Sequence, residues 1–444
     1  MDILIKAGQL ILALAILVTV HEFGHYLAAR FFKTRVEKFY LFFNPYFSLY
    51  KKKIGETEWG IGWLPLGGYV KISGMIDESM DTEQMKQEPQ PWEFRSKPAW
   101  QRLIIMLGGI IVNLIVGFFI YMMILVVYGK DEVVSKNPSN GLMVGDVLQK
   151  YGFQNGDRIL RMGEKKDPSL EDLKKGIMFR DDYKFEVQHQ DGTTSSITLP
   201  EDVEFEIFYT EGMTTFNHRL KAKIGQVVDT LEAGRKGLKS GDVVVAANNK
   251  TIVFWDELTK EIKSNKNGKI QLTVSRNGTL REFNLDIDSV GIIGVGVSDD
   301  LAFHGLEIKN NSFGLAQSVS GGIGMGINTL NDYVSQMKFV FTKKGAQGLG
   351  GFASIGNLFS PTWDWHHFWG MTAFLSFVLA FMNLLPIPAL DGGHVLFLLV
   401  EMITGKSLPQ KFLEYAQMTG VILLLALMLY VNGLDILRIF NFMK

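Results

Sequence analysis

The chain has 444 residues, a formal net charge of −1 and no cysteine. The near-neutral charge and the lack of a basic run argue against nucleic-acid binding, and the missing cysteines exclude disulfides, thiolate metal ligands and cysteine catalysis. Hydrophobic residues make up 47% of the chain. They concentrate in four blocks that approach or exceed the roughly 20 residues a helix needs to cross a bilayer. The sequence therefore predicts an integral membrane protein with four transmembrane helices.

The first predicted helix covers residues 1–32 and carries a polar cluster near its end. It is longer than the apolar core of a signal peptide and no small-residue cleavage site follows it, so we expect a permanent span. The cluster is the pattern H-E-x-x-H, formed by His21, Glu22 and His25. Histidines four apart share one helix face and can bind one zinc ion, while Glu22 can accept a proton from a zinc-bound water. The alternative is a satisfied polar network or a helix end at the membrane surface. Ionisable groups within a span are costly and usually functional, which favours the zinc site.

Residues 33–102 are rich in Lys and Arg close to the predicted spans, which indicates a cytoplasmic loop. The second span is predicted over residues 103–128. Both termini and the long region that follows the second span are then expected on the outer side of the membrane.

The outer region contains a degenerate repeat with two Gly-Asp turns, Gly156-Asp157 and Gly241-Asp242. Each turn opens an apolar strand, which predicts one domain over residues 129–215 and another over residues 216–298. The second copy resembles PDZ domains, which receive a peptide tail as an added strand. The first copy is less typical, because the approach at residues 151–155 departs from the pattern. The alternative is two small β-rich domains in which these turns merely connect strands.

A linker over residues 299–366 leads to the third predicted span, over residues 367–396. Within the linker, residues 313–344 predict either an amphipathic helix on the outer membrane surface or a helix that packs between the outer domains and the span. Pro386 and Pro388 are expected to break the third span before Asp391. Because a catalytic zinc normally has three protein ligands, Asp391 is the candidate third ligand, with His394 as a neighbouring partner. A cytoplasmic loop over 397–412 and a fourth span with its tail over 413–444 complete the chain.

These motifs resemble those of the site-2 protease family. The segment His21–His25 looks like the family's zinc motif, and the pattern N-x-x-P-x-P-x-L-D-G at residues 383–392 looks like its second signature. Residues 63–71 are similar to the membrane-associated β-loop of bacterial members. The order of spans and the PDZ-like pair resemble the regulator-of-sigma-E protease (RseP) branch. The predicted fold class is thus a multi-pass α-helical membrane protein with four transmembrane helices, a membrane-associated β-loop and an inserted pair of PDZ-like α/β domains.

The resemblance implies a zinc-dependent intramembrane endopeptidase of the cell inner membrane. Its site would lie near the cytoplasmic side, with the PDZ-like domains in the periplasm as a size filter. Its substrates would be single-span membrane proteins such as anti-sigma factors. They would be cut in envelope stress signalling, after an earlier cleavage has shortened the part on the outer side of the membrane. The residues implied to bind the substrate as an extended strand are Asn383, Gly67, Gly68, Tyr69 and Val70. One departure is the segment 348–356, which lacks the proline expected of its family counterpart.

Two other functional classes compete with the protease. A membrane-anchored PDZ scaffold with a vestigial metal site would account for the outer domains. A vestigial site would be expected to lose Glu22 or Asp391, and both are present. A transporter is disfavoured because the spans carry few polar residues outside the zinc cluster.

Overall fold

The structure is a computed structural model that describes residues 2–75, 88–136 and 140–442. The predicted loop 33–102, the first outer domain and the C-terminal tail each include a few positions outside the described residues. The chain divides into two compact units, one formed by residues 131–311 and the other by the segments on either side of it.

The helices and strands follow one another in a simple order. Before the inserted unit lie α1 (Asp2–Phe31), β1 (Val36–Phe43), β2 (Tyr50–Ile54), β3 (Thr57–Ile61), β4 (Leu64–Ile72) and α2 (Ala99–Val127). The inserted unit contains β5 (Lys130–Ser135), β6 (Leu142–Val144), α3 (Asp146–Gln149), β7 (Arg158–Met162), β8 (Lys165–Lys166), α4 (Leu170–Phe179), β9 (Lys184–Gln188), β10 (Thr194–Thr198), α5 (Val203–Glu211), β11 (Phe216–His218), β12 (Ile224–Val227), α6 (Glu232–Arg235), β13 (Val243–Ala247), β14 (Lys250–Thr251), α7 (Trp255–Ser264), β15 (Lys269–Arg276), β16 (Thr279–Asp286), β17 (Val295–Val297), α8 (Leu301–His304) and β18 (Leu306–Asn311). The last part contains α9 (Leu315–Val340), α10 (Lys343–Gly348), α11 (Phe352–Gly356), α12 (Trp365–Leu384), α13 (Asp391–Thr404) and α14 (Gln410–Phe442).

Among the described residues, four helices are long and apolar enough to cross a membrane, namely α1, α2, α12 and α14. Their number agrees with the sequence prediction. Together with the sheets, they fit a membrane protein with a β-rich part.

The chain between α12 and α14 differs from the prediction. Helix α12 ends at Leu384, just before Pro386, because proline lacks the N–H that a continuing helix needs. A new helix, α13, begins at Asp391 and ends before Gly405, whose φ of +68° is typical of a residue just past a helix end. Residues 397–404 of the predicted cytoplasmic loop 397–412 are therefore helical. Asp391, the acidic first residue, favours the start of α13, and the apolar residues that follow it in the sequence continue the helix.

Helices α1 and α2 cross with their backbones in contact. A Cβ atom on Gly24 would lie 2.3 Å from the carbonyl oxygen of Gly108. Glycine at both positions therefore brings the last third of α1 directly against α2. This close approach sets the geometry of the site described below.

Strands β1 to β4 form a four-stranded sheet in the order β2-β3-β1-β4. Strand β1 is parallel to β3 and antiparallel to β4, which lies at the sheet edge. The sheet packs on the helices through a core that includes Val36 and Ile72 from the strands, Ile105 from α2 and Leu398 from α13. The segment predicted as a β-loop is thus the edge strand of a sheet anchored to these helices.

Helix α9 covers most of the stretch for which the sequence left two alternatives. It packs against α2 and α12, where a Cβ on Gly322 would lie 2.6 Å from Met122 and one on Gly326 would meet Phe118 and Phe377. These contacts pack one face of α9 against two of the candidate spans, and both alternatives for this stretch remain predictions.

The inserted unit contains two copies of one topology. Its two four-stranded sheets have the equivalent orders β10-β9-β7-β8 and β16-β15-β13-β14, and each copy adds a pair made of its first and last strands, β6 with β11 and β12 with β17. Strand β11 pairs with β6 and buries Phe216, so residues 216–218 pair with the first copy although they follow the predicted boundary after residue 215.

Candidate metal centre

The two histidines of the H-E-x-x-H pattern lie on one face near the end of α1. Both are buried, with 7% of His21 and 5% of His25 exposed. Their rings meet edge to face at a centroid distance of 4.8 Å, and their Nε2 atoms lie 3.3 Å apart. The four-residue spacing on a helix accounts for this arrangement.

Asp391 completes the group from the first turn of α13. Its Oδ2 lies 3.1 Å from Nε2 of His21 and 3.2 Å from Nε2 of His25. The turn that carries it contains Ala389, a non-glycine residue with a φ of +75°. The backbone N–H of Ala389 donates to Oε1 of Gln417 on α14, 3.2 Å away, which holds the turn in place.

The three donor atoms fit a zinc ion. Zinc–nitrogen and zinc–oxygen bonds of roughly 2.0–2.1 Å in a tetrahedral arrangement place neighbouring donors about 3.3 Å apart. The observed separations are 3.1, 3.2 and 3.3 Å. In the described part of the chain, His21, His25 and Asp391 form the group of residues that could hold a metal ion. Three protein ligands leave the open position typical of catalytic zinc.

Helix α2 contacts both imidazoles from behind. Nδ1 of His25 lies 2.8 Å from the backbone oxygen of Ile105, and Nδ1 of His21 lies 3.2 Å from the side-chain amide of Asn113. Between them, Gly109 leaves no room for a side chain, because a Cβ there would lie 2.5 Å from Nε2 of His25. Ile105, Gly109 and Asn113 were not among the residues predicted from the sequence. A signal was present, since Asn113 is the one amide side chain between residues 103 and 128.

A cavity of about 500 Å³ opens beside the donor group. Its lining includes Glu22 on one side and Gly67, Gly68, Tyr69 and Val70 of β4 on another. The carboxylate of Glu22 accepts a hydrogen bond from the backbone N–H of Val70. Among the described residues, β4 pairs with β1 alone, so its second edge has no partner strand. The site thus combines a carboxylate, three metal donors and a strand edge around one cavity.

Comparison with known proteins assigns the family. The sequence matches the model of peptidase family M50 over residues 9–427. This chain belongs to peptidase family M50. Its relatives include a protein of Vibrio cholerae named as a predicted zinc metalloprotease, 28% identical over 96% of this chain and 97% of the relative. The Regulator of sigma E protease of Haemophilus influenzae is 27% identical over 99% and 100% of the two chains, and Metalloprotease MmpA of Caulobacter vibrioides is 26% identical over 99% and 98%.

The M50 protease is therefore a zinc metalloprotease, and its family confirms the resemblance inferred from the motifs. Its four apolar helices and its relatives indicate a protein of the inner membrane.

Two further residues predicted for the site also lie at the cavity of the M50 protease. The amide nitrogen of Asn383, in the last turn of α12, lies 3.3 Å from Nε2 of His21. His394 lines the cavity but does not belong to the metal-holding group of the described residues. The structure thus brings the predicted site residues around one cavity, and their individual roles remain predictions.

Proposed function

We propose that this M50 protease is an intramembrane endopeptidase that cuts single-span membrane proteins within their apolar segments. His21, His25 and Asp391 hold the zinc ion, and Glu22 is the general base. The observation that carries this proposal is the triangle of three donor atoms, 3.1 to 3.3 Å apart, next to Glu22 on a helix long and apolar enough to cross a membrane.

The chemistry divides between the metal and Glu22. When bound, Zn2+ polarises the scissile carbonyl and activates the attacking water. The carboxylate of Glu22 takes the proton of that water and passes it to the leaving amide nitrogen. Its hydrogen bond from Val70 orients the carboxylate within the cavity.

The substrate enters as an extended strand. The peptide bonds of a transmembrane helix are shielded by their own hydrogen bonds, so the segment must unwind before attack. The edge of β4 that faces away from β1 supplies replacement hydrogen bonds through strand addition along Gly67, Gly68, Tyr69 and Val70, where Val70 offers its carbonyl oxygen because its N–H donates to Glu22. Asn383, 3.3 Å from a ligand nitrogen, is placed to bind the substrate backbone near the metal.

The duplicated inserted unit supports a pair of PDZ-like domains. We place them in the periplasm, where they bind peptide tails and exclude substrates with bulky outer domains. We assign the Lys- and Arg-rich residues 33–102 to the cytoplasm. Because they directly follow the end of α1 that carries the zinc motif, the active site lies near the cytoplasmic side. Because one relative is named a regulator of sigma E protease, the proposed substrates are anti-sigma factors already trimmed on their outer side.

The test compares wild type with Glu22→Gln, using Glu56→Gln as the matched control. Glu56 is an exposed carboxylate paired with Arg30 at 3.4 Å. Each protein is purified in detergent, its zinc per chain is measured, and it is incubated with a single-span peptide. Glu22→Gln should keep one zinc and lose cleavage by about a hundredfold or more, because the proton acceptor is gone. Glu56→Gln should cut like wild type.

Cleavage by Glu22→Gln at close to the wild-type rate would contradict the assigned base. Zinc-free wild-type protein that cuts nothing even after zinc is restored would favour the peptide-binding scaffold instead.

A further inference from the structure

Helix α2 presents one face to the two histidines of α1. Ile105, Gly109 and Asn113 are spaced four residues apart, so they line one side of the helix. His25 contacts the Ile105 end of this face and His21 contacts the Asn113 end. Each imidazole is therefore held at Nδ1 by α2, while both Nε2 atoms point toward Asp391.

The contact at His25 fixes the position of its proton. Nδ1 of His25 lies 2.8 Å from the backbone oxygen of Ile105. A carbonyl oxygen can only accept a hydrogen bond, so Nδ1 carries the hydrogen and donates it. The lone pair of the neutral ring is then on Nε2, the atom that faces Asp391.

The contact at His21 depends on how the amide of Asn113 is turned. In the structure the amide nitrogen is the nearer atom, 3.2 Å from Nδ1, and within the described chain the buried amide oxygen has no hydrogen-bond partner. With the nitrogen donating, Nδ1 would be the acceptor and Nε2 would carry the hydrogen, which blocks metal binding there. The two ends of an asparagine amide exchange by a half-turn, and their assignment follows from the surrounding hydrogen bonds.

We propose that Asn113 is a positioning residue of the zinc site, whose side-chain oxygen accepts the Nδ1–H of His21 and leaves Nε2 free for the metal. This inference rests on the proposed role of His21 as a zinc ligand. Metal-binding histidines commonly donate their other ring N–H to an oxygen, which fixes both tautomer and ring orientation. Asn113 and the Ile105 carbonyl supply one such oxygen to each histidine.

The burial of Asn113 indicates that its side-chain amide has a role beyond filling space in the helix interface. Asn113 is fully buried in an otherwise apolar stretch of α2. Burying an amide costs free energy unless it is hydrogen-bonded, so an aliphatic residue would suit this position better if packing alone mattered. The backbone oxygen of Asn113 is separately engaged, accepting a hydrogen bond from Oγ of Ser376 on α12 at 2.8 Å.

The experiment measures zinc affinity of the full-length protein in detergent by competition with a chelator. Asn113→Leu and Asn113→Ala remove the acceptor with larger and smaller side chains, and Asn113→Asp retains an oxygen acceptor. Ser376→Ala is the matched control, because it removes the hydrogen bond between α12 and α2 without touching either histidine. Thermal unfolding of the zinc-free forms checks that each variant folds. The visible absorption spectrum of the cobalt-loaded forms reports the ligand geometry.

Asn113→Leu and Asn113→Ala should weaken zinc binding about 10- to 100-fold and alter the cobalt spectrum. Asn113→Asp and Ser376→Ala should bind zinc within about threefold of wild type, following the same principle. The proposal is overturned if Asn113→Leu or Asn113→Ala binds zinc like wild type. It is equally overturned if Asn113→Asp loses as much affinity as they do, because the amide would then act by shape alone.

His21→Ala separates this proposal from the one on which it rests. Loss of zinc in His21→Ala together with full affinity in the Asn113 variants overturns the role of Asn113 and leaves the zinc site intact. Wild-type affinity in His21→Ala overturns both.

Discussion

At the scale of single residues, the position of Asp391 depends on the turn before it, in which a non-glycine residue has an unfavourable backbone conformation. Ala389 has a φ of +75°, in the left-handed region that costs a non-glycine residue about 1 kcal/mol. Two interactions with α14 hold this turn. Gln417 accepts the N–H of Ala389, and Gly420 lets α14 approach until a Cβ there would lie 1.9 Å from the oxygen of Pro388. Helix α14 thereby helps to present Asp391 to the two histidines.

Asp391→Ala should lower the zinc content of the purified protein well below one ion per chain. The change removes the carboxylate whose Oδ2 lies within 3.2 Å of both ring nitrogens and leaves two ligands where catalytic zinc normally has three. Metal analysis after dialysis against a weak chelator gives the stoichiometry. Asp299→Ala, which removes an exposed carboxylate, serves as the control. Full stoichiometry with unchanged affinity in Asp391→Ala would exclude this residue as a ligand.

At the scale of elements, the crossing of α1 and α2 determines whether the histidines reach their partners. Gly24 lies between the two histidines in sequence and faces the backbone of Gly108. A side chain at either position would push the helices apart. The contacts of Ile105 and Asn113 with the two imidazoles would lengthen with that separation.

Gly24→Ala should therefore weaken both folding stability and zinc affinity. Its Cβ would lie 2.3 Å from a backbone oxygen, which cannot move aside as a flexible side chain can, and such overpacking costs typically 1–3 kcal/mol. Gly8→Ala on the same helix is the matched control, because a Cβ there has nothing within 4 Å. Thermal unfolding and chelator competition measure the two effects. A Gly24→Ala protein as stable as Gly8→Ala would show that the helices do not cross as closely as described.

The crossing of α1 and α2 also separates the parts of the site that could be predicted from the sequence from those that could not. The H-E-x-x-H pattern and the proline-broken segment before Asp391 are local signals, and the structure brings His21, His25 and Asp391 together. The partners of the histidines on α2 could not be predicted, because they depend on the close approach of two helices some 80 residues apart in sequence. Helix α13 was missed for a different reason. The prolines were correctly interpreted as ending a helix, and Asp391 before an apolar run was a local signal for a new start, but the turn that allows this restart is held by α14.

At the scale of the whole molecule, the inserted unit repeats one contact between an acidic and a basic side chain as well as one topology. In the second copy, Asp242 of the Gly-Asp turn pairs with Arg276 at 2.6 Å. In the first copy, Asp157 of the matching turn lies 2.8 Å from Nδ1 of His189. In the first copy, Gln188 precedes His189 and pairs with Arg158, which follows Asp157. In the second copy, Ser275 precedes Arg276 and pairs with Val243, which follows Asp242. The pairs therefore occupy equivalent places, which supports duplication of one ancestral domain.

The ion pair of the second copy makes its stability depend on pH. Burial alone would raise the pKa of Asp242, but the Arg276 guanidinium and the backbone N–H of Lys239 hold that pKa below its ordinary value. Because the folded-state pKa is the lower one, the pair stabilises the fold fully above the unfolded pKa of about 3.9. The stabilisation is lost as the pH falls below that value toward the folded-state pKa.

Asp242→Asn should accordingly destabilise the second copy at pH 7 by about 1.5–3 kcal/mol, because it removes the carboxylate charge to which Arg276 donates two hydrogen bonds. Hydrogen exchange of peptides from β13 and β15 in the full-length protein, corrected for intrinsic rates, measures this local stability. The difference from wild type should shrink below about pH 4, because the unfolded chain then begins to bind a proton at Asp242 and wild type loses the stabilisation that the pair supplies. Asp286→Asn is the control, since Asp286 forms an exposed pair with Lys269 at 3.8 Å and should cost less than about 1 kcal/mol. Equal protection of Asp242→Asn and wild type at pH 7 would show that the Gly-Asp turn owes its stability to its backbone alone.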